Sequence, residues 1–197
     1  MTGDHPMRRR EVVPALLGDR GDLLVVSGLG STTYDCAAAG DHPLNFYLWG
    51  AMGGAAMIGL GLALAQPKRR VLVITGDGEM LMGLGSLATI ETRRPANLAI
   101  AVIDNERYGE TGMQATHTAA GIDLAGMARA AGFIAATTVV RQDQLDGAIK
   151  LLRREPGPVL AVIKVAAARD PFVLPTRDGT LLKHRFRAAL LGEAAAY

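Results

Sequence analysis

Runs of aliphatic residues recur along the chain, separated by segments with helical spacing of apolar positions. Five of these runs predict strands, at 23–26, 71–74, 98–103, 136–140 and 159–165. A strand that is buried on both faces consists almost entirely of Val, Ile, Leu and Ala, whereas a half-exposed strand alternates apolar with polar residues. The pattern therefore predicts parallel strands that are covered on both faces.

Helices are predicted between the strands, at 8–17, 32–39, 53–65, 81–91, 123–131 and 142–153. A short extended segment at 46–48 and a polar loop at 104–121 complete the pattern. Strands that alternate with helices predict an α/β fold, with a doubly wound, mostly parallel sheet as the middle of three layers. Residues 1–170 are expected to form this domain. Residues 171–197 are expected to form a linker and a last helix that contacts a partner.

Composition narrows the class of protein. The 197 residues are 49% hydrophobic, which suits one domain with a sizeable core. A net charge of +2 from scattered basic residues gives no reason to expect a nucleic-acid partner. The apolar stretch from Ala51 to Ala65 is shorter than the roughly 20 residues that span a bilayer, and Met1–Pro6 lacks the apolar core of a signal peptide. We therefore expect a cytoplasmic protein without a membrane partner. The single Cys36 excludes an internal disulfide and a cysteine-built metal cluster.

Two strand ends carry the residues with the clearest chemical potential. Gly76-Asp77-Gly78-Glu79 follows one predicted strand, and Asp104-Asn105 follows the next. Because ligands bind at the carboxyl ends of parallel strands, Asp77 and Asn105 are expected to converge. Carboxylate, amide and backbone carbonyl oxygens suit Mg²⁺, and N–H groups at the start of the following helix would bind phosphates. Two ordinary strand-to-helix turns are the competing interpretation.

This pair of motifs resembles the fingerprint of thiamine-diphosphate-dependent enzymes, a Gly-Asp-Gly followed further on by Asn-Asn, with Asp104 in place of the first Asn. The resemblance implies the three-layer diphosphate-binding domain, with thiamine diphosphate and Mg²⁺ as cofactors. It implies a metal site formed by Asp77, Asn105 and the backbone carbonyl of Arg107. It also implies cofactor contacts from Gly76, Gly78, Glu79, Asn105, Tyr108 and Gly109.

Two upstream segments resemble the same family. In Trp49–Gly53, the resemblance implies that the Gly50 carbonyl binds the aminopyrimidine and that Met52 is the wedge that bends the bound cofactor. Core filling is the alternative for Met52. Gly30 and Ser31 resemble the turn that offers the diphosphate a backbone N–H and a hydroxyl, and a plain helix N-cap is the alternative.

Within that family, the segment 105–114 resembles the motif Asn-x-x-Tyr-Gly-x-Thr-Gly-x-Gln of the sulfopyruvate decarboxylase β-subunit type and of the matching half of phosphonopyruvate decarboxylase. That group has Pro-Thr and a small residue next, where this chain has Ala115, Thr116 and His117. His117 is therefore a candidate catalytic residue that would hold an acidic substrate or relay a proton. An exposed loop histidine is the alternative.

The resemblance also implies a partner subunit. Enzymes of this class need a glutamate on N1′ of the pyrimidine, which lies in a separate pyrimidine-binding domain, and this chain has room for one domain. We therefore expect an α subunit that carries the catalytic glutamate, in an α₂β₂ or larger assembly. The implied activity is decarboxylation of a small anionic 2-oxo acid.

Three other functions stay open. The first is an acetolactate-synthase-like carboligase or an acyltransferase with the same cofactor. The second is an oxidoreductase subunit that passes electrons to an iron–sulfur cluster, against which the lone Cys36 argues. The third is a non-catalytic module, against which the intact Met52, Asp77 and Asn105 argue.

Overall fold

The computed structural model describes residues 5–193. Within them lie eight strands: β1 Leu24–Ser27, β2 Asn45–Tyr47, β3 Val71–Gly76, β4 Leu98–Asp104, β5 Arg107–Tyr108, β6 Gln114–Ala115, β7 Ala135–Val139 and β8 Val159–Lys164. Six of them form one sheet in the order β2-β1-β3-β4-β8-β7, and every neighbouring pair is parallel. The short β5 and β6 form a separate antiparallel hairpin. The predicted doubly wound parallel sheet is thereby confirmed.

Eight α-helices accompany the strands in the described residues: α1 Arg9–Leu17, α2 Ser31–Ala38, α3 Ala55–Ala65, α4 Asp77–Met82, α5 Ser86–Arg93, α6 Leu124–Ala131, α7 Leu145–Arg154 and α8 Gly179–Leu191. Helices α1, α2 and α7 cover one face of the sheet, and α3 to α6 cover the other. Alternate residues of each strand serve the two layers, so Leu72 and Ile74 face the first group of helices while Val71 and Val73 face the second.

The strand order places a switch point between β1 and β3. The chain runs outward from β1 to β2 and then returns to the other side of β1 to form β3. The loops after β1 and β3 therefore diverge to opposite faces of the sheet and leave a crevice between them, which is where doubly wound sheets bind ligands.

The chain differs from the sequence-based prediction around this crevice. The helix expected at 81–91 is divided into α4 and α5, and α4 begins at Asp77 itself. The division falls at Gly83, where an added Cβ would lie 2.2 Å from the carbonyl oxygen of Gly53. The loop expected at 104–121 contains the β5–β6 hairpin and a 3₁₀ helix, His117–Ala120.

The C-terminal segment packs on its own domain. Leu182 and Phe186 of α8 are buried, and Phe186 makes an edge contact with Phe46 of β2, with ring centroids 5.6 Å apart. Before α8, the indole N–H of Trp49 donates to the Thr176 carbonyl at 2.8 Å. A partner contact for residues 171–197 stays a prediction, and residues 194–197 lie outside the described residues. None of the helices in residues 5–193 has the length and apolar character needed to cross a membrane.

Candidate active site

A cleft of about 250 Å³ lies at the carboxyl ends of the central strands, at the switch point. It brings together most of the predicted site residues: Ser31, Met52, Gly76, Asp77, Gly78, Glu79, Asn105, Arg107, Tyr108 and Gly109. Gly30 lies next to Ser31 in the turn that borders the cleft. Gly30, Gly50 and His117 are not among the lining residues.

Asp77 lies at the bottom of the cleft, where β3 passes directly into α4. Its carboxylate is 2% exposed, and Oδ2 accepts a hydrogen bond from Thr116. The Thr118 hydroxyl lies 3.1 Å from the same oxygen and 2.8 Å from Oδ1 of Asp104. Burial and the neighbouring Asp104 carboxylate raise the pKa of Asp77 to about 6. Asp104 is paired with the Lys164 ammonium at 2.9 Å, so Asp77 is the carboxylate of the two that would attract a cation in the cleft.

Asn105 begins the loop after β4, one position beyond Asp104. Its side-chain oxygen accepts a hydrogen bond from the backbone N–H of Arg107 at 3.0 Å, which closes a tight Asx turn. The intervening Glu106 has a positive φ of 61°, which bends the chain back toward the cleft. Asn105 and Arg107, at the two ends of this turn, both line the cleft that Asp77 lines.

Gly78 and Tyr108 pack against each other across the cleft. A Cβ at Gly78 would lie 2.4 Å from Cε1 of Tyr108, so only glycine allows the ring to cover the first turn of α4. Within residues 5–193, no group of three or more His, Cys, Asp or Glu could hold a metal ion. A metal here would have to use mixed donors, such as a carboxylate, an amide and a backbone carbonyl.

The turn between β1 and α2 forms the opposite wall. Gly30 has a φ of +76°, and Ser31 is the first residue of α2. The hydroxyls of Thr32 and Thr33 both donate to the Gly28 carbonyl, at 2.9 and 2.8 Å, and hold the turn in place. The free backbone N–H groups at the start of α2 therefore border the cleft, in an arrangement that suits a phosphate group.

The Glu79 carboxylate makes hydrogen bonds within the chain. Its side chain is buried, and Oε2 accepts hydrogen bonds from the Thr75 hydroxyl at 2.8 Å and the Leu29 N–H at 3.2 Å. The same carboxylate occupies the space that a Cβ at Gly28 would take, 1.7 Å from that position. Glu79 thus ties α4 to the β1 turn, and its predicted cofactor contact stays a prediction. Thr75, which lies in β3 four positions before Glu79, was not predicted as a site residue.

Met52 lies at the rim of the cleft and is 38% exposed, which argues against core filling. Next to it, Ala51 has a positive φ of 57°, and Gly50 is exposed. His117 is exposed as well, although its neighbours Thr116 and Thr118 are buried. The side chains of 116 and 118 turn inward to Asp77, and that of 117 turns outward. The structure does not bring His117 into the cleft of this chain.

Residues 28–163 match the family described as "Thiamine pyrophosphate enzyme, C-terminal TPP binding domain". The chain belongs to this family. The matched range begins at the β1 turn and ends in β8, so it includes both motifs and the whole switch point. Thiamine diphosphate, which is the same compound as thiamine pyrophosphate, is therefore confirmed as the cofactor class predicted from the motifs.

Relatives of this thiamine-pyrophosphate-binding domain carry specific names. The sulfopyruvate decarboxylase subunit beta of Methanococcus maripaludis is 35% identical over 184 residues, which covers 93% of this chain and 98% of that protein. The same subunit of Methanothermobacter thermautotrophicus is 43% identical over 127 residues, 64% of this chain and 68% of that one. Phosphonopyruvate decarboxylase of Streptomyces viridochromogenes is 38% identical over 168 residues, which cover 85% of this chain but 42% of that protein.

The fold of the domain has solved counterparts. Benzoylformate decarboxylase of Polynucleobacter necessarius superposes with a TM-score of 0.72 at 19% identity, over 85% of this chain and 34% of that one. At this identity the similarity concerns the fold alone, and it confirms the predicted three-layer arrangement.

The cleft fits the cofactor of the family. Two of the turns beside it require glycine, because an added Cβ would collide with Glu110 at Gly30 and with the Tyr108 ring at Gly78. The start of α2 offers N–H groups to a diphosphate, and the buried Asp77 carboxylate would attract the cation that accompanies it.

Proposed function

We propose that this chain is the diphosphate- and Mg²⁺-binding subunit of a thiamine-diphosphate-dependent decarboxylase that acts on a small anionic 2-oxo acid. Sulfopyruvate and phosphonopyruvate are the substrates named in its relatives, and a sulfonate or phosphonate of that size is the substrate class we infer.

The observation that carries the proposal is the convergence of Asp77 and Asn105. Gly76 pairs with Ile103 in the register of β3 and β4, so the residues that follow the two strands lie side by side. We assign the Mg²⁺ ligands to the Asp77 carboxylate, the Asn105 side-chain oxygen and the Arg107 carbonyl. Diphosphate oxygens and water would complete an octahedral set, as is usual for Mg²⁺.

When bound, thiamine diphosphate supplies the electron sink that takes up the electron pair released as CO₂ leaves. The chain's own residues hold and shape the cofactor. Gly30, Ser31 and the start of α2 bind the diphosphate, and Tyr108 and Gly109 close over it. Met52 projects at the cleft rim, where it would separate the two rings and hold them bent, with Gly50 beside it for the pyrimidine.

We infer a partner subunit that completes the site. The relatives that match over most of their length are named as beta subunits, which implies at least one further subunit. In phosphonopyruvate decarboxylase the match occupies 42% of the protein, which leaves room for a second domain in the same chain. The partner is proposed to be a pyrimidine-domain α subunit with the catalytic glutamate, in an α₂β₂ or larger complex.

The test uses the complex of this chain with its partner, assayed for CO₂ release from sulfopyruvate and phosphonopyruvate with Mg²⁺ and thiamine diphosphate. Asp77→Asn should abolish turnover and make cofactor binding, measured by calorimetry, weak and insensitive to a chelator. The matched control is Asp22→Asn, which makes the same change in an exposed residue before β1.

Two outcomes would contradict the proposal. One is cofactor binding by Asp77→Asn that equals that of the unmodified complex. The other is a product that contains a second substrate molecule in place of a released aldehyde, which would favour carboligation.

A further inference from the structure

Glu110 covers the turn that we assign to the diphosphate. It lies between β5 and β6, yet its side chain reaches back across the cleft to Gly30. A Cβ at Gly30 would lie 2.7 Å from Oε1 and 2.8 Å from Cγ of Glu110. On the same side, Oε2 lies 3.4 Å from the hydroxyl of Tyr34 in α2. Glu110 and Ser31 both line the cleft, so the carboxylate lies over the phosphate-binding end of α2.

Basic side chains of the described residues lie around the Glu110 carboxylate without forming an ion pair with it. Within residues 5–193, Glu110 takes part in no salt bridge. Arg9, which also lines the cleft, pairs with Asp35 and Asp170. The Arg107 guanidinium donates to the Glu106 carbonyl at 2.8 Å. The carboxylate therefore occupies the positive end of α2, where an incoming diphosphate would bind. The negative charges of the carboxylate and of the diphosphate would repel each other there.

We propose that Glu110 is an anionic gate over the diphosphate turn, displaced when the cofactor binds. The inference rests on the proposed function. Glu110 is exposed and lies in the loop between β5 and β6, so its side chain has solvent beside it into which it would turn away from Gly30 and Ser31. The displacement costs part of the binding free energy, so the gate sets the cofactor affinity below what the turn alone would give. Removing the charge should therefore tighten binding.

The experiment compares Glu110→Gln with the unmodified full chain. The ligands are inorganic pyrophosphate with Mg²⁺, which tests the turn without needing the pyrimidine side of the site, and then thiamine diphosphate with Mg²⁺. Binding is measured by calorimetry and by the fluorescence of Trp49. That residue is the only tryptophan of the chain, and its ring centroid lies 6.0 Å from that of Tyr34. Glu155→Gln is the matched control, because Glu155 is exposed and lies between α7 and β8, at the amino ends of the strands and away from the cleft.

Glu110→Gln should bind pyrophosphate about three- to tenfold more tightly than the unmodified chain, and the ratio should shrink in high salt, because salt screens exposed charges. Glu155→Gln should match the unmodified chain. Equal or weaker binding by Glu110→Gln, with clear binding by all three proteins, would overturn the gate and leave the proposed function intact. Absence of binding of both ligands to all three proteins would overturn the gate together with the proposed diphosphate site.

Discussion

Thr116 donates a hydrogen bond to the buried carboxylate of Asp77, although 39 positions separate the two residues. The bond ties the loop after β4 to the first turn of α4. The Thr118 hydroxyl approaches the same oxygen, Oδ2, so one edge of the carboxylate is held in place from the protein side. The proposed metal ligand is thus oriented before any metal binds.

Thr116→Val should weaken Mg²⁺-dependent cofactor binding by roughly tenfold, because partners that orient a metal ligand commonly contribute that much to metal affinity. Titration of Mg²⁺ by calorimetry in the presence of thiamine diphosphate measures the effect, and Thr116→Ser should restore it. Thr92→Val, a change in an exposed residue of α5, is the control. Binding by Thr116→Val at the unmodified level would show that Asp77 does not depend on this hydroxyl.

The proposed wedge role of Met52 predicts an effect on turnover of the complex without a matching effect on cofactor affinity. Met52→Ala should lower turnover of the complex about tenfold or more, because the ring geometry changes while the diphosphate contacts remain. Cofactor affinity should change little. Met57→Ala is a suitable control, because Met57 has a similar exposure of 41% but lies on α3 outside the cleft. Turnover within about twofold of the unmodified complex, a barrier change of roughly 0.4 kcal/mol, would exclude the wedge.

Glu79 can be tested without any cofactor. Glu79→Ala should lower the free energy of unfolding of the cofactor-free chain by about 1–3 kcal/mol, because the Leu29 N–H loses its buried acceptor. Urea denaturation measures the change, with the exposed Glu155→Ala as control. A variant that unfolds like the unmodified chain, but binds the cofactor poorly, would instead favour direct cofactor contact by Glu79.

The sequence alone is enough to predict the central strands and the two residues that follow them, Asp77 and Asn105. Strands buried on both faces must be aliphatic throughout, so Val71–Ile74 and Leu98–Ile103 are recognisable without long-range information. Asp77 and Asn105 follow those strands directly, and parallel strands bring their carboxyl ends to one edge. Local patterns were therefore enough to place them together.

Contacts between distant segments were not predictable in the same way. The close approach of Gly53 and Gly83 divides one predicted helix into two. Glu110 reaches Gly30 only because the β5–β6 hairpin folds back over the cleft. The alternation that turns Thr116 inward and His117 outward depends on where Asp77 lies. In each case the deciding partner is more than 25 positions away in the sequence.

His117 stays a candidate residue of the assembled enzyme. It is exposed in this chain and follows Thr116, which contacts Asp77, so a partner surface over the cleft would also lie near its imidazole. His117→Ala should lower kcat or raise KM for the acidic substrate in the complex, and should leave Mg²⁺ and cofactor binding by this chain alone unchanged. Values of kcat and KM identical to those of the unmodified complex would remove His117 from the active site.

The dependence on a partner subunit is the most diagnostic prediction. Residues 5–193 form one sheet domain, and the cleft holds the groups proposed for the metal and the diphosphate. Within these residues, the acidic side chains that line the cleft are Asp77, Glu79 and Glu110, and each makes a hydrogen bond within the chain. We therefore predict that the catalytic glutamate comes from the partner subunit.

The isolated chain should therefore release no CO₂ from 2-oxo acids, even with saturating Mg²⁺ and thiamine diphosphate, and activity should appear when the partner is added. Met52 and Met82 both line the cleft and are 38% and 58% exposed, so apolar side chains lie open at the proposed partner-facing side. We expect the chain alone to self-associate, which size-exclusion chromatography with light scattering measures, and the partner to suppress this. An apolar surface that is covered in the complex should also lose accessibility to methionine oxidation there. Full turnover by the purified chain alone would refute both the shared site and the assignment of the glutamate to the partner.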